Sequence, residues 1–259
     1  MIEHNFKKKF GQNFISDKNL LNAIVEDANV CENDEVLEIG AGAGTLTQMI
    51  NSYAKKVVSY EIDNDLKEHL LSLNLDKTKF VFQDVMKVPL DEIESEFSSS
   101  YKMIANLPYY ITTPIIFKFL NGSKKISTLC IMVQKEVAER MCSLQGGKDY
   151  GVLSVMINFF GQAKITRIVN RNMFYPAPNV DSAVVVIDID REKHKDIDGE
   201  SFYRFVQTCF SMRRKTLKNN LSKYDKNKIH LEKLSPDILA KRAESFSPDQ
   251  LVSMYKLLF

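Results

Sequence analysis

The tetrapeptide Asn106-Leu107-Pro108-Tyr109 combines residue types that could hold the exocyclic amino group of an adenine base. The N6 nitrogen of adenine is a poor nucleophile because its lone pair is delocalised into the ring. The side-chain oxygen of Asn106 and the main-chain carbonyl of Leu107 can accept hydrogen bonds from both of its N–H groups, which favours a lone pair directed at an electrophilic methyl group. Pro108 stiffens the segment and leaves that carbonyl exposed, and Tyr109 can stack on a base taken out of its helix.

A second aromatic residue, Phe174, stands in the proline-rich segment 174–178. Such a segment could hold the Phe174 ring against the other face of the same base. Both motifs also have a plain structural interpretation: a proline-containing turn with a core tyrosine at 106–109, and core packing for Phe174. The order of elements around them therefore has to decide between these interpretations.

A glycine turn precedes these motifs, at Gly40, Gly42 and Gly44. Glycines at alternate positions allow a sharp strand-to-helix turn and leave no Cβ between the backbone and a ligand. Thr45 occupies the place of the last glycine of a dinucleotide-binding G-x-G-x-x-G pattern. S-adenosylmethionine has no phosphate to place at the helix N-terminus, so its carboxylate and sulfonium can lie across the turn instead.

Two acids follow at the ends of successive predicted strands. Glu61 lies 21 residues after Gly40, and a carboxylate there offers acceptors to both ribose hydroxyls. Asp84 ends the next predicted strand, where it could accept from an adenine amino group. Acids at strand ends are common in themselves; the turn and both acids together predict a nucleoside-type site, with S-adenosylmethionine as the cofactor.

Short β-rich runs alternate with helical stretches through the first two thirds of the chain, which predicts an α/β fold. We expect a Rossmann-like, doubly wound, mostly parallel sheet, closed at one edge by an antiparallel hairpin whose strands flank Pro176 and Pro178. Ligands bind beyond the carboxyl ends of such strands, which is where the sequence places Gly40, Glu61 and Asn106. The predicted strands are 36–39, 57–61, 79–82, 103–105, 128–133, 165–169 and 183–187; the predicted helices are 45–54, 63–73, 88–97 and 114–121.

After residue 190 the pattern becomes helical and basic. Residues 191–259 hold 15 Lys and Arg against 9 Asp and Glu, so that the formal charge of +2 for the chain leaves −4 for residues 1–190. We therefore predict two domains, 1–190 and 191–259, with a polyanion as partner of the second. Candidate phosphate contacts, which could equally be solvated surface, are Lys7, Lys8 and Lys9 near the start, and Arg213, Arg214, Lys215 and Lys218 on a predicted helix.

Composition excludes several classes of protein. Hydrophobic residues make up 44% and charged residues 26% of the chain, as in a soluble globular protein. Its four cysteines form no C-x-x-C pair, so neither a metal cluster nor a disulfide framework is expected, and a reducing cytoplasm fits best. The sequence shows no signal peptide and no apolar run near the roughly 20 residues of a membrane span. Nothing in it requires more than a monomer.

The chain resembles the small-subunit ribosomal RNA adenine N6,N6-dimethyltransferases of the KsgA type. The resemblance runs nearly end to end, in ordered blocks that include 10–14, 38–47, 106–114, 134–137, 150–155, 174–182 and 213–216. It implies a methyltransferase domain followed by a small helical domain. It also implies dimethylation of two adjacent adenosines near the 3′ end of the 16S RNA of the assembling 30S subunit, with S-adenosylmethionine as methyl donor.

By position, the resemblance also implies cofactor contacts. These are Asn13, Ile15, Gly40, Glu61, Asp84 and Asn106. Ala41 departs from the family pattern, which has proline there, and we expect a slightly looser turn with the same cofactor.

Three other functions remain open from the sequence. A macrolide-resistance type of enzyme that methylates large-subunit RNA shares the glycine turn but usually has isoleucine where this chain has Leu107. A nicotinamide-dependent oxidoreductase would need the missing last glycine. A non-catalytic RNA-binding assembly factor could retain the fold, although the intact 106–109 motif favours catalysis.

Overall fold

The computed structural model describes residues 14–108, 111–224 and 229–259. The strands are β1 (Phe14–Ile15), β2 (Glu35–Ile39), β3 (Lys56–Tyr60), β4 (Thr78–Val81), β5 (Tyr101–Asn106), β6 (Ile126–Gln134), β7 (Gly161–Val169), β8 (Phe174–Tyr175) and β9 (Ser182–Ile189). The helices are α1 (Lys18–Asp27), α2 (Thr45–Tyr53), α3 (Lys67–Ser72), α4 (Leu90–Ser95), α5 (Thr112–Gly122), α6 (Lys135–Met141), α7 (Val152–Phe160), α8 (Gly199–Cys209), α9 (Leu217–Leu221), α10 (Pro236–Ala240) and α11 (Pro248–Leu258).

Seven strands form one sheet in the order β4-β3-β2-β5-β6-β9-β7. The five strands from β4 to β6 are parallel, whereas β9 runs antiparallel to β6. Every residue of β2 is buried, as expected for a central strand that is covered on both faces. The predicted fold class is confirmed, including the antiparallel strand near one edge.

The order of strands reverses at β2. From β2 the chain adds β3 and β4 on one side and then returns to add β5 and β6 on the other. In open α/β sheets the crevice outside the carboxyl ends at such a reversal is the ligand-binding place. The glycine turn follows β2 and the 106–109 motif begins at the last residue of β5, so both lie at this reversal.

A second, two-stranded sheet was not anticipated from the sequence. In it β1 pairs antiparallel with β8, with Ile15 opposite Phe174 and Phe14 opposite Tyr175. Strands of two residues carry little periodicity, so a sequence pattern does not reveal them. This pairing joins the start of the described chain to the segment that holds Phe174.

The chain divides into two compact units. The first comprises the described residues up to Ala138 with Lys164–Ile189, and the second comprises Glu139–Ala163 with Asp190–Phe259. The sequence-based division at 190/191 differs from this one, because it placed 139–163 in the first domain. The physical reason is α7, which is apolar around most of its surface and packs on α8, where Phe159 and Phe202 stack at 4.5 Å.

Candidate active site

The glycine turn and the 106–109 motif lie side by side. Ile39, the last residue of β2, is opposite Ala105 of β5, so the residues after each strand are neighbours. Gly40 has a φ of +84°, and a Cβ at this position would be 3.5 Å from the Asn106 carbonyl oxygen. The structure thus brings together two segments that are more than 60 residues apart in sequence.

The turn itself depends on left-handed backbone conformations. The φ angles of Gly40, Gly42 and Gly44 are +84°, +55° and +77°, which residues with a Cβ rarely adopt. The N–H of Gly40 donates to the Tyr60 carbonyl at 2.8 Å and ties the turn to β3. Ala41 is buried with Leu66 and Leu70 in a small apolar cluster.

Glu61 follows β3 directly and is almost completely buried. Its Oε2 accepts from the N–H of Gly42 and its Oε1 from the N–H of Asp63, both at 2.8 Å. Burial raises the pKa of this carboxyl, while the backbone hydrogen bonds oppose the rise. An ionised carboxylate has about four lone-pair sites, so each oxygen of Glu61 keeps capacity for a ribose hydroxyl. The structure also gives Gly42 a second role, because its N–H positions Glu61.

Glu38 is a candidate site residue to which the sequence analysis assigned no role. Its side chain is fully buried, and Oε2 accepts from Thr47 Oγ1 at 2.6 Å and from Ser59 Oγ at 2.5 Å. Its Oε1 is buried with no hydrogen-bond partner among the described residues. Burial raises the pKa of Glu38 to about 7, and the charge of Glu61 adds to the rise. The signal in the sequence was a glutamate between Leu37 and Ile39 of a predicted strand, where an acid is rarely buried without a partner.

The segment at Ile15 connects the cofactor and base sides of the candidate site. The Ile15 carbonyl accepts from Thr45 Oγ1, in the first turn of α2, at 3.0 Å. Ile15 also pairs with Phe174 across the two-stranded sheet. Ile15, a predicted cofactor contact, and Phe174, a predicted base contact, are therefore paired on adjacent strands. Asn13 lies outside the described residues.

Phe174 packs in the core of the first unit, with 5% of its surface exposed. Its neighbour Tyr175 is 70% exposed. The sequence left both stacking and core packing open, and in this structure the Phe174 ring has core contacts and little free surface. Its contact with a base remains a prediction, which requires that an edge of the ring be reached or uncovered.

Leu107 and Pro108 follow β5 and precede α5, which begins at Thr112. Leu107 is buried, and the carbonyl of Pro108 accepts from the N–H of Ile111 at 3.1 Å and from Thr112 Oγ1 at 3.2 Å. These bonds tie Pro108 to the N-cap residue Ile111 and to the first residue of α5. Tyr109 lies outside the described residues.

Asp84 does not end a strand, because β4 ends three residues earlier at Val81. It lies in a loop where its Oδ1 accepts from the N–H of Met86 at 3.0 Å. The loop is held by Lys118 of α5, whose Nζ donates to the carbonyls of Val85 and Val88 at 2.6 Å each. β4 has the predicted length of four residues but begins and ends one residue earlier than the predicted range 79–82, and Asp84 belongs to the loop that follows it.

Ile62 is a second candidate that the sequence analysis did not select. It follows Glu61, and 41% of its surface is exposed. A large apolar side chain exposed beside the predicted ribose acceptor is suited to cover the base of a nucleoside. Its position one residue after Glu61 was the available signal.

The predicted basic helix is only partly helical. Arg213, Arg214 and Lys215 lie in the turn between α8 and α9, and only Lys218 lies on α9. Thr216 is the N-cap of α9, with extended backbone and a side chain that accepts from the Asn219 N–H, which starts the helix after the three basic residues. All four basic side chains are exposed. The predicted contacts Lys7, Lys8 and Lys9 lie outside the described residues.

These groups fit S-adenosylmethionine better than a dinucleotide. The glycine turn leaves space that a Cβ would fill, and Glu38 Oε1 is an acceptor to which no described residue donates. The first turn of α2, where a pyrophosphate would bind, instead meets the Ile15 carbonyl through Thr45. In the described ranges no group of three or more His, Cys, Asp or Glu could hold a metal ion, and no helix is long and apolar enough to cross a membrane.

Known proteins share both the sequence and the fold of this chain. A family model described as ribosomal RNA adenine dimethylase matches residues 3–258. Ribosomal RNA small subunit methyltransferase A of Mycoplasma mobile is 41% identical, with 100% of this chain and 98% of that protein covered. The protein of the same name from Clostridioides difficile is 41% identical, with 85% and 78% covered.

Two solved structures resemble this chain over more than nine tenths of its length. The dimethyladenosine transferase of Plasmodium falciparum has a TM-score of 0.79 at 26% identity and covers 93% of this chain and 95% of its own. The 23S rRNA methyltransferase ErmE has a TM-score of 0.71 at 25% identity and covers 95% and 99%. The match of the family model over almost every residue, with the glycine turn, Glu61 and Asn106 in one crevice, establishes that this chain belongs to the ribosomal RNA adenine dimethylases.

Proposed function

We propose that this chain transfers methyl groups from S-adenosylmethionine to the N6 atoms of two adjacent adenosines near the 3′ end of small-subunit ribosomal RNA, within the assembling 30S subunit. The observation that carries the proposal is the position of Asn106 at the carboxyl end of β5, beside the glycine turn that follows β2. Relatives named for the small subunit, at 41% identity, support the choice of RNA.

Cofactor binding is assigned to residues around the strand reversal. Gly40 and Gly42 let the backbone approach the cofactor, Glu61 accepts from the ribose hydroxyls, and Asp84 accepts from the adenine amino group. Ile15 and Asn13 cover the methionine end. Bound S-adenosylmethionine supplies an electrophilic methyl group on a sulfonium centre. Residues of a single chain are sufficient for this site.

Asn106 and Leu107 then orient the target nitrogen. The side-chain oxygen of Asn106 and the carbonyl of Leu107 accept from the two N–H groups of N6, while Pro108 keeps the segment stiff. The rings of Tyr109 and Phe174 hold the flipped base from its two faces. The N6 proton is lost easily to solvent once the nitrogen bears the new bond, so no charged base is required.

The decisive assay uses unmethylated small and large ribosomal subunits, purified separately. With labelled S-adenosylmethionine, we expect two adjacent dimethylated adenosines near the 3′ end of the small-subunit RNA, mapped by mass spectrometry. Methylation of large-subunit RNA alone would instead assign the activity for which ErmE is named, whose fold is also similar.

Replacing Asn106 by alanine tests the catalytic assignment. Loss of an acceptor that acts in the transition state should lower the rate of methyl transfer by about 100-fold or more, while binding to the small subunit survives. Asn22→Ala, a half-buried asparagine on α1, is the matched control and should transfer at the parental rate. A normal rate for Asn106→Ala would refute the hydrogen bond to N6, and binding without methyl transfer by the parent would favour a non-catalytic assembly factor.

A further inference from the structure

The second compact unit contains a cavity of about 830 Å³ that the proposed methyl transfer does not use. This volume lies within the range of about 300–1,000 Å³ found for small-molecule sites. Side chains of α8, of the segment after α9 and of α11 line it. Those with chemistry of interest are Arg204, Gln207, Lys223, Tyr224, Tyr255 and Phe259.

One side of the cavity is a wall of aromatic rings that contact one another in tilted and edge-to-face arrangements. The ring of Phe259 lies 4.8 Å from that of Tyr255 and 5.4 Å from that of Tyr224. Tyr255 in turn rests on the buried ring of Phe205, at 5.6 Å. Phe259 is 48% exposed, so the wall presents aromatic surface that packing from behind holds in place.

Two cationic side chains and one amide side chain also line the cavity. Arg204, Lys223 and Gln207 are all exposed. Arg204 has Glu200 at 3.8 Å, but this is a solvent-exposed pair on one helix and contributes little. Among the described residues that line the cavity there is no Asp or Glu side chain. Its charge therefore favours an anion.

An unpaired nucleotide satisfies both features. A base has a face that can stack on an aromatic ring, and the adjoining phosphates pair with Arg or Lys. An acidic peptide would meet the cations but leave the exposed ring faces in water. An apolar helix would cover the rings but would bury the cations without partners.

We propose that this cavity binds an unpaired nucleotide of an RNA strand, with the base on Phe259 and Tyr224 and the phosphates at Arg204 and Lys223. Gln207 offers a donor and an acceptor to the base edge or the 2′-hydroxyl. The choice of RNA as the polymer rests on the proposed function, whereas the aromatic rings and the cationic side chains are features of the cavity itself. The second unit would then bind single-stranded RNA at this cavity, in addition to the predicted phosphate contacts of Arg213, Arg214, Lys215 and Lys218.

The first test measures binding of fluorescein-labelled hexauridylate to the full chain by fluorescence polarisation. Phe259→Ala and Tyr224→Ala should each raise the Kd roughly tenfold, as expected when a stacked base loses its ring. Tyr53→Ala, which removes an exposed ring of α2 in the first unit, should leave the Kd unchanged. A heparin hexasaccharide has charge without bases, so its binding should not respond to Phe259→Ala.

The second test separates charge from stacking by salt. Arg204→Gln and Lys223→Gln should each reduce the slope of log K against log salt by about 0.7, and Phe259→Ala should leave that slope unchanged. Lys233→Gln, an exposed lysine in the same unit but outside the cavity, is the control for a lost charge. Arg204 and Lys223 are exposed, so these variants address the site without removing core contacts.

Cross-linking locates the strand directly. Hexamers that contain 4-thiouridine should cross-link to Tyr224 or Phe259. The proposal is overturned if cross-links fall only on 213–218 and Arg204→Gln behaves like Lys233→Gln. It is also overturned, in favour of an acidic protein partner, if a decaglutamate peptide binds more tightly than RNA and loses that affinity in Phe259→Ala.

Methyl transfer to small subunits is measured on the same preparations. If the parent shows ring-dependent RNA binding but transfers no methyl groups, the proposed function fails and the cavity assignment stands. If transfer is normal and the cavity variants bind RNA like the parent, only the cavity assignment fails.

Discussion

Two buried carboxylates, Glu38 and Glu61, stand at the ends of neighbouring strands and differ in their hydrogen bonds. Both oxygens of Glu61 accept from backbone N–H groups, whereas Glu38 has one oxygen with two hydroxyl donors and one without a partner among the described residues. Glu61 is therefore oriented before a ligand binds. Glu38 holds β2, α2 and β3 together through Thr47 and Ser59.

Removal of the Glu61 carboxylate should weaken cofactor binding. Glu61→Ala loses two ribose hydrogen bonds to a charged acceptor, so we expect the Kd for S-adenosylmethionine to rise roughly 30- to 1,000-fold, measured by calorimetry. Glu68→Ala, an exposed glutamate of α3, controls for the lost charge. An unchanged Kd in Glu61→Ala would contradict the ribose assignment.

Glu38 should make stability depend on pH near neutrality. Its pKa is about 7 in the folded protein against an ordinary value of 4.5, so between these values the folded protein keeps a proton that the unfolded chain releases. The proton on Glu38 therefore stabilises the folded protein fully below about pH 4.5. This stabilisation decreases as the pH rises to about 7, and the free energy of unfolding no longer changes through Glu38 above that pH.

Glu38→Gln removes this titration. We compare the free energy of unfolding of the variant with that of the parent at each pH. The parent loses the contribution of Glu38 as the pH rises and the variant does not, so the difference, variant minus parent, should increase by roughly 2–3 kcal/mol between pH 5 and pH 8. A constant effect of the substitution does not alter this increase. Urea denaturation across this range measures the difference. A difference that is independent of pH would show that Glu38 does not titrate there.

At the scale of elements, the turn between β2 and α2 determines whether the site can form. Gly44 is the N-cap of α2 with a φ of +77°, and a Cβ there would overlap the Leu73 side chain and lie 3.1 Å from Leu70 Cδ2. The turn therefore needs glycine for its backbone conformation and also for the space that α3 leaves.

Gly44→Ala should lower the free energy of unfolding by roughly 2–4 kcal/mol, from the left-handed backbone and the steric overlap together. Gly146→Ala separates the two causes, because Gly146 has the same φ of +77° but a Cβ added there would meet no neighbouring atom within 4 Å. It should cost only about 1–2 kcal/mol. Equal losses in denaturant unfolding would mean that the contact with α3 contributes nothing.

The sequence predicted some elements more reliably than others. The parallel strands β2, β3, β5 and β6 agree with their predicted ranges to within two residues at each end, because long buried apolar runs are a strong local signal. By contrast, β1 and β8 are too short to carry a pattern, and Arg213–Lys215 read as helix from the spacing of their apolar neighbours, although the Thr216 cap starts α9 after them.

For the whole molecule, the uneven distribution of charge is the feature with a functional consequence. Residues 191–259 carry a net formal charge of +6 and residues 1–190 a net charge of −4. Contacts to phosphate release counterions, so RNA affinity from this region should fall steeply with salt and should carry no sequence preference of its own.

Replacing Arg213, Arg214 and Lys215 together by glutamine should reduce the slope of log K against log salt for small-subunit binding by about 2–3, at roughly 0.7–0.9 for each lost phosphate contact. The control replaces the exposed Lys195, Lys233 and Lys241 of the same unit. Filter binding at several salt concentrations measures both slopes. If the two triple variants reduce the slope equally, the RNA responds to the net charge of this unit and not to contacts at the turn 213–215.

The sequence by itself determined the class of fold, the glycine turn, and the residue types able to bind a nucleoside and an adenine amino group. These follow from local patterns, since periodicity, glycine spacing and an acid after a strand are all properties of short segments. The resemblance to a known family, in ordered blocks along the chain, added the substrate. The sequence could identify Asn106 in this way, but it could not give the distance between Asn106 and Gly40.

Tertiary structure decided which of these groups meet. It placed Gly40 against Asn106, gave the Gly42 N–H to Glu61, and set Ile15 opposite Phe174. It also buried Glu38, which shifts the pKa of that carboxyl, and brought the rings of Tyr255 and Phe259 into contact beside a cavity. Hydrogen bonds and burial between distant segments depend on how the strands are ordered and packed, and no pattern within one segment contains that order.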